Sequence, residues 1–125
     1  MTQQDSLHRR AQVFFRSIAK DTRLLTSNYV LAETITWLTY HRARSGALTL
    51  WRLIADSERA GLLGVEWVTP AVQSQAWDLF QRYEDQVFSF CDCTSFALCF
   101  SRPIDFVFGF DSDFRRVGLD LRPGA

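Results

Sequence analysis

Three carboxylates stand where short apolar runs give out. Glu33 lies just inside the helical stretch that follows Leu24-Leu25-Thr26, Asp92 follows Val87-Phe88-Ser89-Phe90, and Asp111 follows the run from Ile104 to Phe110, with Asp113 two residues on. In an open parallel sheet, ligands bind outside the carboxyl ends of the strands, so acids at three such ends are expected to face one edge. Converging carboxylates repel one another unless a divalent cation sits among them, and hard oxygen donors suit Mg²⁺ or Mn²⁺.

Each acid also has a purely structural use. Glu33 shares a helical stripe with Val30, Trp37 and Tyr40, where a salt bridge or backbone amides would satisfy it. Asp92 could cap the helix that follows it, although Thr94 could do the same, and Asp111 and Asp113 could cap a short terminal helix. Three acids at corresponding strand ends outweigh these separate accounts.

Other chemistries lack their parts. There is no G-x-x-x-x-G-K-[ST] loop, no G-x-G-x-x-G, no G-x-S-x-G and no H-E-x-x-H, which removes the triphosphatase, dinucleotide, serine-hydrolase and zincin readings. Cys91, Cys93 and Cys99 are an odd cluster, and His8 and His41 are too distant in sequence to complete a zinc set with them. A phosphoacceptor receiver needs a lysine near its acids, and the one lysine, Lys20, falls on the first helix. Four tryptophans and eleven phenylalanines are expected to pack the core rather than to stack on bases. Arg102, Arg115 and Arg116 lie near the acids in sequence and could meet phosphates, with solvated surface charge as their simpler role.

The elements that position the acids follow from periodicity and punctuation. Leu7, Ala11, Phe14, Phe15 and Ile18 recur at helical spacing and predict an amphipathic first helix. A strand at 23–26 meets the cap pair Ser27-Asn28 before a helix over about 29–44. Gly46 punctuates, a third helix covers about 48–59, and Gly61 stops it. A strand follows at 62–68, and Thr69-Pro70 opens a fourth helix to about Tyr83. Then come a short buried strand at 87–90, a fifth helix through Phe100, a strand at 104–110, a turn or short helix at 111–114, and an edge strand near 118–121. Strands alternating with helices predict one α/β domain over residues 1–125, three-layered around a mainly parallel sheet.

These segments resemble the PIN-domain ribonucleases, most closely the VapC-type toxins of toxin-antitoxin pairs. The resemblance rests on Leu25 to Thr34, on Phe90 to Ala97 and on Phe108 to Phe114, and it spans nearly the whole chain. It implies a metal-dependent endoribonuclease that hydrolyses RNA phosphodiester bonds with Mg²⁺ or Mn²⁺. Glu33, Asp92 and Asp111 would be the catalytic and metal-binding acids, with Thr94, Ser95 and Asp113 in support around them. It also implies a homodimer and a small cognate antitoxin as protein partner. The family's first motif, a central apolar strand ending in aspartate, has no counterpart here. Asp5 to Ala11 resembles the helix after that strand, so Asp5 is not the missing acid. The expectation is an N-terminally incomplete PIN-like domain whose remaining strands pair directly, whose gap a partner's strand fills, or which folds poorly, with weak metal binding and little or no nuclease activity from residues 1–125 alone. The alternative is a non-catalytic PIN-like module that binds protein or RNA without cutting.

Composition bounds the rest. Fourteen basic residues balance fourteen acidic ones, so only a local patch could draw the protein to RNA. No uncharged stretch reaches the roughly 18 to 20 residues needed to span a bilayer, and the N-terminus lacks the apolar run of a signal peptide. A cytoplasmic protein without membrane contact is expected.

Overall fold

The computed structural model describes residues 3–18 and 21–124. The chain is α/β and divides into two compact units, one of Arg23–Leu98 and one of Met1–Thr22 with Cys99–Ala125.

In the unit Arg23–Leu98, β1 (Leu24–Ser27) pairs in parallel with β2 (Leu63–Glu66), Leu24 opposite Leu63 and Ser27 opposite Glu66. Between them run α2 (Asn28–Tyr40) and α3 (Arg44–Arg59), and α4 (Pro70–Arg82) follows β2. α1 (Gln3–Ser17) belongs to the other unit. The Thr69 hydroxyl accepts the Val72 N–H at 3.3 Å with Pro70 at the first helical position, so α4 starts as its sequence predicts. Its Val72, Ala76 and Leu79, at spacings of four and three, are the buried stripe. α5 (Phe90–Ser101) buries Cys93, Thr94, Phe96, Ala97 and Leu98, and Phe96 is fully enclosed.

The clearest differences from the sequence reading in this unit lie at two places. The helix predicted to run to Arg44 stops at Tyr40. Arg42 takes the left-handed φ of 57° and turns the chain into α3 at Arg44, which puts Gly46 in the first turn of α3 rather than between helices. The strand predicted at 87–90 does not form. Val87 is 98% exposed, Phe88 is buried edge-on against Tyr83 and Phe96 at ring distances of 5.5 and 5.1 Å, and α5 has begun by Phe90. Four apolar residues are too few for periodicity to separate strand from helix, and here the bonds of Ser89 with Asp92 decide for helix.

In the other unit, β3 (Val107–Gly109) pairs in parallel with β4 (Leu121–Pro123), both shorter than predicted, and the four-residue α6 (Asp113–Arg116) lies between them. Phe14 of α1 sets its ring edge-on to Phe106 and Phe108, at 5.7 and 5.5 Å, around β3. Arg10 donates to the Gly124 carbonyl at 2.6 Å, and Arg115 donates to that of Leu121 at 3.2 Å, which fastens the end of β4.

The tryptophans depart most from expectation. Trp37, Trp51, Trp67 and Trp77 are each more than half exposed, and the fully buried side chains include Phe96, Thr94 and Cys93 instead. An indole carries a polar N–H and a large ring, and it is rarely enclosed completely. Among the described residues no helix is long and apolar enough to cross a membrane.

Candidate active site

β1 runs into α2 without a loop. Ser27 is both the last residue of the strand and the cap of the helix, with φ −129° and ψ 160°, and its Oγ accepts the Val30 N–H at 3.1 Å. An extended backbone is what a cap residue requires, so one serine serves both elements. The Asn28 Oδ1 accepts the Val68 N–H at 2.8 Å, which ties the start of α2 to the segment after β2. Glu33 follows on the second turn of α2, and it is exposed.

Asp92 is fixed at the start of α5. Its Oδ2 accepts the Ser89 N–H at 3.0 Å while its own N–H donates to the Ser89 Oγ at 3.0 Å. This reciprocal pair is a capping box, and it holds an anionic group where the helix dipole favours one. The capping role weighed for Asp92 is therefore real, and the helix it secures carries Cys91 in the same turn. Thr94 is fully buried, with its Oγ1 donating to the Cys91 carbonyl at 2.6 Å. That bond is local to the turn. Ser95 is half-buried one residue on.

Glu33 and Asp92 meet around Cys91. Burial is the largest influence on this thiol, followed by the charge of Glu33, a side-chain hydrogen bond with Glu33, and the charge of Asp92. Together they push the Cys91 pKa up to about 12 against a partial offset from a hydrogen bond with Thr94. At neutral pH Cys91 is a thiol. The carboxylate oxygens of Glu33 and Asp92 are hard donors, and hard donors fit Mg²⁺ or Mn²⁺. Cys93 and Cys99 are raised as well, by burial first, with Asp92 adding to the effect at Cys93.

In the other unit, the Asp111 Oδ1 accepts the Asp113 N–H at 3.0 Å in the turn that leads into α6, and the Asp113 carboxylate lies 3.4 Å from Arg116. Asp111 itself is exposed. Arg115 is engaged with the Leu121 carbonyl, and Arg102 reaches the Ser101 carbonyl at 3.5 Å. The three arginines considered for phosphate contact thus have local partners.

Two contributors went unrecognised in the sequence. Ser89 was legible as the first member of an S-x-x-D capping pair, but the strand assignment concealed it. Cys91 had no such signal, because its meeting with Glu33 depends on how α2 and α5 pack.

A family model described as PIN domain matches residues 4–119. The 23S rRNA-specific endonuclease VapC20 of Mycobacterium tuberculosis, found in two strains, is 35% identical over 123 aligned positions covering 95% of this chain and 87% of the relative. The crystal structure of M. tuberculosis VapC20, described as a Sarcin-Ricin loop cleaving toxin, superposes with a TM-score of 0.75 at 32% identity, over 90% of this chain and 82% of that one. With a family model covering most of its length and a relative so similar from end to end, the chain belongs to the PIN-domain family, among its VapC-type toxins.

Proposed function

We propose that this protein is a metal-dependent endoribonuclease toxin that cuts ribosomal RNA, with 23S rRNA as its substrate. The observation that carries the reading is the similarity, over nearly the whole chain, to the 23S rRNA-specific endonuclease VapC20. It is supported by the carboxylates of Glu33 and Asp92, from separate helices, both acting on the Cys91 thiol. Glu33, Asp92 and Asp111 are the acids that hold Mg²⁺ or Mn²⁺, with Thr94, Ser95 and Asp113 in support. Arg102, Arg115 and Arg116 are the phosphate contacts.

A bound divalent cation supplies the charge that acidifies water and offsets negative charge growing on the phosphoryl group. The chain's own contribution is position. The capping box orients the Asp92 carboxylate, the Cys91 thiol lies beside that of Glu33, and the buried Thr94 braces the turn that carries Cys91. Members of this family commonly dimerise and are inhibited by a small antitoxin, and we assign the same partners, and a cytoplasmic setting, to this chain.

The test is incubation of the purified protein with 23S rRNA and Mg²⁺ or Mn²⁺, followed by mapping of the cut ends. Defined cuts that disappear with chelator and with Asp92→Asn are expected. Intact RNA under every metal condition would replace this reading with the non-catalytic PIN-like module.

A further inference from the structure

The charged residue of α2 is Glu33, and the same face of the helix continues through Trp37 and Tyr40 to His41, at spacings of four, seven and eight. One turn, roughly 6 Å along the axis, separates Glu33 from Trp37. Trp37 is 52% exposed and Tyr40 81%. The His41 ring lies flat on the indole, with centroids 3.9 Å apart and planes 18° from parallel, and its Nδ1 is bound to the Trp37 carbonyl at 2.8 Å. The indole is therefore braced on a neighbouring ring while half its surface stays in water. A large side chain already held in one arrangement loses little freedom when something stacks on it.

The rest of the α2 surface favours nucleic acid over a protein partner. The other exposed positions of α2 include Ala32, Thr36 and Thr39, with no large aliphatic side chain among them, whereas a groove for a protein helix is lined by aliphatic anchors. Beyond the aromatic stripe lie Arg42 and Arg44, both exposed. Among the described residues neither is paired with a carboxylate. Stacking rings flanked by guanidinium groups are the usual means of holding unpaired nucleotides, with the rings taking bases and the cations taking phosphates.

We propose that the Trp37/His41 pair and Tyr40 form a stacking platform on α2 for unpaired bases of the RNA substrate, with Arg42 and Arg44 on the flanking phosphates. The platform starts one helical turn from Glu33, so it seats nucleotides beside the acid and contributes to the choice of an unpaired loop as target. The proposal rests on the RNA-cleaving reading above, but it concerns binding and can be tested without cleavage.

The experiment measures fluorescence anisotropy of a labelled single-stranded RNA octamer bound by the Asp92→Asn protein in chelator, and by the same protein carrying Trp37→Ala, Trp37→Phe or Tyr40→Ala. Circular dichroism confirms the fold of each. Trp37→Ala is expected to weaken binding about tenfold or more, Tyr40→Ala several-fold, and Trp37→Phe to retain most of the affinity. Unchanged affinity in both alanine variants, or no RNA binding by Asp92→Asn itself, overturns the platform. So does a Trp37→Ala variant that loses self-association, measured by sedimentation, while binding RNA normally, because the face would then belong to a second protein chain. RNA binding that depends on Trp37 in a protein that cuts nothing would keep the platform and sink the nuclease reading.

Discussion

The Cys91 thiol of α5 lies within electrostatic reach of the Glu33 carboxylate of α2, whose charge helps it to keep its proton. Carboxylate and thiol are 58 positions apart in the chain. Their proximity shows that the second turn of α2 and the first turn of α5 define one place.

The thiol makes that place measurable through pH. Thiolate is the form that reacts with alkylating agents, and Cys91 holds its proton to about pH 12 rather than 9.0. Alkylation of Cys91 by iodoacetamide, followed by peptide mass spectrometry, is expected to be very slow at pH 8 and to keep accelerating beyond pH 10. Glu33→Gln removes a charge that raises this pKa, so it is expected to speed the reaction at a given pH. The same shift bears on stability. The folded-state pKa lies above the unfolded one, so the contribution is complete below about pH 9 and is lost as pH rises towards 12. Denaturant midpoints that stay level from pH 8 to 11 would contradict it.

Asp92 has two jobs that substitution can separate. Asparagine keeps an oxygen to accept the Ser89 N–H but loses the charge, whereas alanine loses both. Asp92→Asn is expected to abolish RNA cleavage while retaining the fold, and Asp92→Ala to lose about 1 kcal/mol of stability besides. Thermal melts read beside the cleavage assay check both outcomes.

Metal removal should act on chemistry and leave the fold standing. Chelator is expected to end RNA cleavage, Mn²⁺ to restore it, and the circular dichroism spectrum to stay constant throughout. By calorimetry, Glu33→Gln and Asp111→Asn are each expected to weaken Mn²⁺ binding by about tenfold or more, a loss of roughly 1.4 kcal/mol. Wild-type affinity in both variants would move the cation site elsewhere.

Phe96 is fully enclosed and meets Phe88 edge-on. Phe96→Ala is expected to cost about 3 to 5 kcal/mol, read from urea unfolding. Trp77→Ala, on the exposed face of α4, should cost far less although it removes a larger side chain.

Much of this was legible in the sequence, for reasons that differ by residue. Thr69-Pro70 and Ser27-Asn28 announce helix starts because a cap is a local bond, complete within a few residues. The parallel pairing of β1 with β2 followed from strands that alternate with helices. Val87 to Phe90 misled because an apolar tetrapeptide has no period to read, and Ser89 needed Asp92 beside it to be understood. The tryptophans misled because ring size signals burial only on average. The partnership of Cys91 with Glu33 could not be seen, since no rule of spacing reaches from one helix to another.

The junction at Ser27 restricts how such a chain can change. With no loop between β1 and α2, any residue inserted between Leu25 and Glu33 would either rotate the acid by about 100° around the helix or shift a strand residue to the opposite face of its sheet. Length is free to vary at the other end of α2, in the exposed turn at 41–42. Insertions among relatives should therefore collect in that turn, where they would alter what lies beside Tyr40 and leave Glu33 in place.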